Sequence, residues 1–418
     1  MLYHGLRCAK PAVAVQTALN PRQYYISNCS RFSAKRISLS PHKPEKAMGS
    51  SKEIVTNMFA SGGITVNGNN SWDLQVHNPK LYDRLLAGGS LGFGEAYMEG
   101  WWDCEALDEF FFRVQYHRVD KMIPRDLNTL KYFLKAKFSN QQTKSKAKEV
   151  AHKHYDIGND LFELMLDKRM IYSCAYWETA QTLDEAQEAK LDLICRKLKL
   201  EPGMSLLDIG CGWGGLLQYA AEKYGVKGTG VTLSEEQAII AKEINKGLPV
   251  EIRVQDYRDV HEKFDRIVSV GMLEHVGYRN YRIFMERVNE NLADDGICLL
   301  HTIGGNYSTK VTDPWIAKYI FPNGMLPSAA QLSTAWQGLF ILEDWHNFGV
   351  YYDRTCMEWR KNFEQSWPQL SVKYGDTFYR MWRYYLSASA ASFRSRKNHL
   401  WHIVLTKPKH LGLYKSIR

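Results

Sequence analysis

The sequence predicts an α/β protein, a doubly wound and mainly parallel sheet with a smaller, mainly helical N-terminal domain in front of it. Three observations carry this expectation. Short apolar runs near 206–209, 229–232, 251–254, 265–270 and 296–302 alternate with helical patterns, as a parallel sheet covered on both faces requires. Leu206-Leu207-Asp208-Ile209 delivers an acid and then four glycines, Gly210, Gly212, Gly214 and Gly215, into a strand-to-helix turn. The length of 418 residues suffices for one catalytic-sized domain plus a module.

Taken in chain order, residues 1–47 carry eight Lys or Arg against one acid, Glu45, and are interrupted by Pro11, Pro21, Pro41 and Pro44. Residues 1–50 therefore read as a disordered basic extension. The same composition fits an organellar transit peptide, or an extension ahead of a second start at Met48. From 53 to 138, apolar segments broken by Gly88, Gly89, Gly92 and Gly94 and followed by Trp101-Trp102 read as a compact helical module. The polar stretch at 139–149 reads as a linker, and 150–418 as the second domain. Within it, Thr182-Leu183-Asp184-Glu185 is a capping box. The helix it opens places Leu183, Ala186, Ala189, Leu193, Ile194 and Leu198 on one stripe. Leu216 to Tyr224 is a helix after the glycine turn, and Gly228 to Thr232 is the next strand of a βαβ unit. The aromatic-rich last hundred residues read as a cap over the sheet's rim plus closing strands, the last at Trp401 to Leu405.

Composition excludes several classes. Without the basic extension, the net charge of +9 falls nearly to neutrality, so the folded part lacks the footprint of a nucleic-acid binder. No segment approaches the ~20 apolar residues of a membrane span. Eight cysteines without a C-x-x-C pair fit a reducing compartment. His152-Lys153-His154 has no further ligand at a recognisable spacing, so no metal site is expected.

In such sheets ligands bind beyond the carboxyl ends of the strands, so Asp208, Thr232, Asp256, Gly271 and His301 should share one rim. Glycines at 210, 212 and 214 allow a ligand to lie against the backbone, and no Lys-Ser/Thr follows to make a phosphate loop. The pattern D-x-G-x-G-x-G resembles motif I of S-adenosylmethionine-dependent methyltransferases, which implies a Rossmann-like sheet and that cofactor. Asp208 can accept hydrogen bonds from loop amides or from the cofactor's amino group. Thr232, followed by Ser234 and Gln237, stands where many methyltransferases place an acid for the ribose, and this departure leaves the ribose clamp open. Asp256-Tyr257 is placed to meet the adenine.

The resemblance sharpens with four further segments in order: Tyr172-Ser173-Cys174-Ala175-Tyr176-Trp177, Gly271-Met272-Leu273-Glu274-His275-Val276-Gly277, His301-Thr302-Ile303-Gly304 and Glu343-Asp344-Trp345-His346-Asn347-Phe348-Gly349. Together they resemble the cyclopropane-fatty-acyl-phospholipid synthase family from about residue 53 to the C-terminus. That resemblance implies methyl transfer from S-adenosylmethionine to a cis double bond in a phospholipid acyl chain, then proton loss and ring closure. The carbocation on the way calls for a dry pocket with electron-rich walls. Tyr319, Phe321, Trp336, Trp345, Phe348, Tyr351 and Tyr352 are candidates for those walls.

By motif match, Cys174, Glu274, His301, Tyr352 and the backbone of Ile303 form the catalytic set around a bound bicarbonate that takes the proton. In that set His301, Tyr352 and Ile303 act as anion donors and Glu274 as the polarising carboxylate. Taken singly, each residue also fits plain packing. Tyr172, Ser173, Thr232 and Gln237 match positions near the cofactor. Some relatives carry a cysteine where Ser389 stands, so a thiolate at that position has no counterpart in this chain.

The expected partners are an unsaturated phospholipid, a membrane surface contacted peripherally and a second copy of the chain, with a cytoplasmic address. Trp101, Trp102, Phe110, Phe111, Phe112 and Arg113, with Lys131, Lys135 and Lys137, are the candidates for membrane contact, against a purely structural role for the aromatics. The rival readings are acyl-chain methylation without ring closure, amine methylation, and a non-catalytic lipid-binding protein.

Overall fold

The computed structural model describes residues 50–122 and 158–418. The basic extension, the linker, Lys131, Lys135, Lys137 and the His152–His154 pair lie outside the described residues.

Helices α1 (Ser51–Ala60), α2 (Leu81–Met98) and α3 (Leu107–Tyr116), with a two-stranded ribbon of β1 (Gln75–Val76) and β2 (Trp102–Asp103), build the N-terminal region. The Ser50 side chain caps α1 by accepting from Glu53 N–H. Gly89 kinks α2 with φ +54° and ψ −140°, a conformation that L side chains rarely adopt.

The remaining α-helices among the described residues are α4 (Asn159–Met165), α5 (Leu183–Lys197), α6 (Gly215–Tyr224), α7 (Glu235–Ile244), α8 (Leu273–Val276), α9 (Tyr281–Asn291), α10 (Pro314–Tyr319), α11 (Ala329–Trp336) and α12 (Tyr351–Arg394). They surround β3 (Ser205–Ile209), β4 (Lys227–Thr232), β5 (Val250–Val254), β6 (Phe264–Val270), β7 (Leu292–Gly305), β8 (Ile341–Asn347) and β9 (Asn398–Thr406). The seven strands are ordered β5-β4-β3-β6-β7-β9-β8. The β3–β4, β3–β6, β4–β5 and β6–β7 pairs are parallel, and β9 runs antiparallel to both its neighbours. The sheet thus changes winding direction at β3 and β6, and that switch point is where the glycine turn emerges.

The capping box on α5 is present in full, with Thr182 accepting from Glu185 N–H and the Glu185 side chain accepting from Thr182 N–H. Leu183, Ala186, Leu193, Ile194 and Leu198 of its stripe are buried. The long α12 carries Pro368 and a break at Gly375, φ +71°, so it is two helical arms joined at a kink.

One hydrophobic core joins the N-terminal region to the rest: Phe59, Phe93, Trp102 and Phe110 pack in the same cluster as Trp359, Trp382 and Tyr384 of α12. This corrects the expectation that Trp102, Phe110 and Phe111 face a membrane. Trp102 and Phe110 are 0% exposed, and Trp102 stacks on Phe93 at 4.3 Å. Burying such rings against α12 removes more apolar area from water than a surface position allows. Phe112 is only partly buried and stacks on Tyr116, which is 62% exposed.

Candidate active site

The turn after β3 closes tightly because Gly210 N–H donates to Val231 O at 2.9 Å and Gly214 N–H to Cys211 O at 2.9 Å. Gly210 has φ +84°, and a Cβ there would sit 2.9 Å from Met272 Cγ. Gly214, φ +83°, caps α6 where a Cβ would meet Asn245 Nδ2 at 2.7 Å. These two positions admit glycine for backbone and for space together.

Above the turn lies a cavity of about 160 Å³. The carboxyl ends of β3, β4, β5 and β6 supply its walls: Gly210, Gly212, Thr232, Gln237, Asp256, Tyr257 and Gly271, with Met272, His275 and Val276 closing one side. Thr232 Oγ donates to Gln237 Oε1 at 3.1 Å and accepts from Ser234 N–H at 3.2 Å, which holds this polar corner. Both Asp256 oxygens accept from the Arg258 guanidinium, at 2.7 and 2.6 Å, and Arg258 also lies on the wall. Arg258 and His275 were not anticipated from the sequence. Burial holds the His275 imidazole down at about 4, so it faces the cavity as a neutral ring.

Asp208, Gly214, Tyr172 and Ser173 stand outside this lining. Asp208 is buried beneath the turn, where burial pushes its carboxyl up to about 7 against the pull of Lys190. Its Oδ1 has no hydrogen-bond partner among the described residues. Tyr172 and Ser173 belong to an irregular segment pinned by α5. Gln187 Nε2 donates to Ile171 O and Ser173 O at 3.2 and 2.9 Å, and Lys190 Nζ donates to Ser173 Oγ at 2.8 Å. Lys190 is 1% exposed, and burial lowers its ammonium to about 8. The signal for Lys190 is its position: it falls four residues after Ala186 and three before Leu193, on the apolar stripe of α5.

A second group sits behind the short helix α8. Glu274 is buried with no cation bonded to it among the described residues, and burial pushes its carboxyl up to about 7. Its Oε1 accepts from Ile303 N–H at 2.6 Å, while Oε2 has no partner among the described residues. In this conformation the Ile303 amide orients the carboxylate rather than facing a free anion. His301, two residues earlier on β7, is 1% exposed; its Nδ1 meets His402 Nε2 at 2.9 Å and its Nε2 has no partner among the described residues.

Tyr352 stacks on Phe393 at 4.4 Å, and burial raises its phenol, with charge on Cys356, Cys174, Tyr172 and Glu274 adding to the rise. The interactions with Tyr172, Cys174 and Glu274 link Tyr352 to two of the four motif segments. Burial likewise raises the Cys174 thiol, whose Sγ–H donates to Ala175 O at 3.4 Å. His301, Tyr352 and Cys174 are therefore neutral, desolvated groups, and Glu274 Oε2 and His301 Nε2 have no partner among the described residues.

The aromatic candidates divide. Tyr319, Phe321, Phe348, Tyr351 and Tyr352 belong to or pack on the core that contains Cys174 and Trp359. Trp336 and Trp345 instead pack edge-to-face on each other, and Trp345 on Trp401, in a separate cluster, which corrects their expected place in an acyl tunnel. Tyr172 and Tyr385, joined by their hydroxyls at 2.7 Å, were not on that list. No described helix is long and apolar enough to cross a membrane.

Comparison with known proteins agrees with this architecture. A family model for mycolic acid cyclopropane synthetase matches residues 141–403. The chain is 48% identical over 360 residues to the cyclopropane-fatty-acyl-phospholipid synthase of Escherichia coli strain K12, spanning 86% of this chain and 94% of that one. Mycolic acid cyclopropane synthase CmaA1, solved in complex with SAH and CTAB, superposes with a TM-score of 0.59 at 33% identity over 62% of this chain and 98% of its own. Coclaurine N-methyltransferase, at 23% identity and TM-score 0.63 over 75% of this chain and 98% of its own, shares the fold alone. The chain belongs to the mycolic acid cyclopropane synthetase family.

Proposed function

We propose that this chain transfers a methylene group from S-adenosylmethionine to the cis double bond of an unsaturated phospholipid acyl chain, closing a cyclopropane ring. The supporting observation is a glycine-built cavity separated by one helical turn from a buried carboxyl that has no cation bonded to it among the described residues. The E. coli relative, matched over nearly its whole length, is named for that product.

The residues present fit both small molecules of the proposal. The cradle at Gly210 and Gly212 accommodates S-adenosylmethionine, which supplies an electrophilic methyl group when bound. Thr232, Gln237, Asp256 and Tyr257 offer it polar and aromatic contacts, while Asp208 supports the turn from beneath. The segment of Tyr172 and Ser173, held by Gln187 and Lys190, would add contacts to the cofactor from outside this lining.

The unpartnered Glu274 Oε2 and His301 Nε2 suit an anion of carbonate size. Bicarbonate, when bound, supplies the base that the cationic intermediate needs. His301 and Tyr352 would donate to it as neutral groups, Cys174 would wall the site as a neutral thiol, and Glu274, held by Ile303 N–H, would polarise it. Aromatic walls at Tyr172, Tyr385, Phe321 and Tyr352 exclude water, which would trap the cation as an alcohol. Reaching an acyl chain in a bilayer calls for a peripheral surface contact, for which the exposed Tyr116 and partly buried Phe112 on α3 are suited.

The test is incubation of the purified full chain with methyl-labelled S-adenosylmethionine and cis-unsaturated phospholipid vesicles, followed by mass spectrometry of the acyl chains. Chains heavier by one CH2 with the double bond gone support the proposal. A retained double bond indicates methylation without ring closure, and label only in soluble amines overturns the lipid reading.

A further inference from the structure

Three histidines stand directly opposite one another on three adjacent strands. His301 on β7 pairs with His402 on β9, and His402 pairs with His346 on the edge strand β8. Opposite residues of antiparallel strands point to the same face, so the three rings form a row from the buried site toward the sheet edge. Phe348 flanks the row, with ring centroids 6.2, 4.7 and 4.9 Å from His301, His402 and His346. His402 is 0% exposed, and His346 is half-buried and lines a surface groove with Tyr176, Glu178, Arg196 and Arg418.

Among the described residues the only hydrogen bond within the row joins His301 and His402, and chemistry selects between the two ways of placing its proton. Burial holds both imidazoles well below their usual range, so both rings are neutral and each carries one N–H. If His301 Nδ1 were the donor, His402 Nε2 would accept and the proton of His402 would sit on Nδ1, which has no partner among the described residues. A buried N–H would then be stranded beside Phe348. If His402 Nε2–H donates, a lone pair is left at His402 Nδ1 and the free N–H is on His301 Nε2, which also has no partner among the described residues but belongs to the set proposed to hold the anion. Each arrangement leaves one buried N–H without a protein partner, and only the second places it where the proposed anion would accept it, so that no buried donor stays orphaned once that anion is bound.

We infer that His402 is a positioning residue, whose Nε2–H fixes the ring orientation and tautomer of His301 so that Nε2–H of His301 is presented to the reacting centre as a donor. The inference rests on the reading that His301 acts at that centre. Orienting partners of this kind change activity by roughly 10- to 100-fold when removed.

The experiment uses the full chain, with histidine nitrogens labelled for long-range proton–nitrogen correlation spectra, alongside turnover on cis-unsaturated phospholipid vesicles. The expected wild-type spectrum shows His301 protonated at Nε2 alone. His402→Phe should mix the two tautomers and lower kcat roughly 10- to 100-fold at an unchanged KM for S-adenosylmethionine. His402→Gln, whose amide can donate in the same place, should recover most of the loss. His346→Phe, which changes the same row without touching the hydrogen bond, should leave tautomer and kcat unchanged.

A His301 protonated at Nδ1 in the wild-type protein overturns the inference, and this reading does not depend on any variant folding. So does a His402→Phe protein that turns over like wild type while His301→Ala is inactive. A His301→Ala protein with wild-type turnover instead overturns the reading of the site itself.

Discussion

Glu274→Gln separates function from stability, and the structure sets the size and sign of both effects. Burial raises the Glu274 carboxyl from 4.5 to about 7. At 1.36 kcal/mol per unit, the difference between folded and unfolded states corresponds to about 3 kcal/mol. The sign follows from proton counts. Below the unfolded value the group is neutral in both states and contributes nothing. Between 4.5 and about 7 the folded protein keeps a proton that the unfolded chain releases, so stability falls as pH rises, and above about 7 the full penalty is present.

Glutamine has nearly the same shape, and its Oε1 can still accept from Ile303 N–H. The variant should therefore match wild type near pH 4.5 and become more stable by up to about 3 kcal/mol at pH 8. Denaturant melts of both proteins across this range measure the difference, in which the titrations of all other groups cancel. Turnover should fall by about 10²- to 10⁴-fold, the usual worth of a positioned acid–base group. A stability gap that does not grow with pH would refute a desolvated ionisable Glu274. Full turnover in the variant would refute its role in polarising the base.

Two further predictions concern the cradle and the framework. Gly210→Ala places a Cβ 2.9 Å from Met272 Cγ at φ +84°, a strain of about 1–2 kcal/mol, and should weaken S-adenosylhomocysteine binding about tenfold in calorimetry. An unchanged Kd would show that the turn is not the cofactor's cradle. Asp344→Ala strands the buried Lys197, whose Nζ lies 2.7 Å from Asp344 Oδ2, and frees the Arg418 guanidinium, which grips the same carboxylate at 2.6 and 2.8 Å. The expected loss is about 3–5 kcal/mol, read as a fall in denaturation midpoint; a loss under 1 kcal/mol would mean that Lys197 finds another partner.

What the sequence made legible follows from where single residues have only one physical use. The Thr182 capping box, the glycine turn and the apolar runs of β3, β4 and β6 are local signals, and each sits within two residues of the expected place. Strand β8 is illegible because Glu343, Asp344 and His346 break its apolar pattern, and it exists through pairing with β9. Trp102 and Phe110 misled because an aromatic run has the same sequence whether it meets lipid or α12. The support residues were hidden for a related reason. Lys190 bonds Ser173 and His402 bonds His301 across separated segments, and such pairings form only when those segments meet; Arg258 lies two residues after Asp256, a local pairing that sequence reasoning passed over. Lys190 on an apolar stripe and His402 within an apolar strand still left a trace, since an isolated polar group in a buried pattern requires a partner.

The turn at α8 explains why the cavity and the buried Glu274 carboxyl can be so close and yet differ so much. Met272, His275 and Val276 line the cavity, while Glu274 faces β7 and is gripped by Ile303 N–H. One helical turn thus presents neighbouring residues to opposite sides. Met325 N–H donates to Glu274 O at 2.8 Å and Gly271 N–H to His301 O at 2.8 Å, so the wall is tied to the cap on one side and to β7 on the other. In the proposed reaction the methyl group must cross this boundary while water must not. A carbocation survives only where nothing nucleophilic reaches it, and the buried neutral forms of His301, Tyr352 and Cys174 meet that condition without leaving the proton acceptor unsupported. The same desolvation that makes Glu274 costly to the fold above pH 7 therefore makes the site fit for a cation.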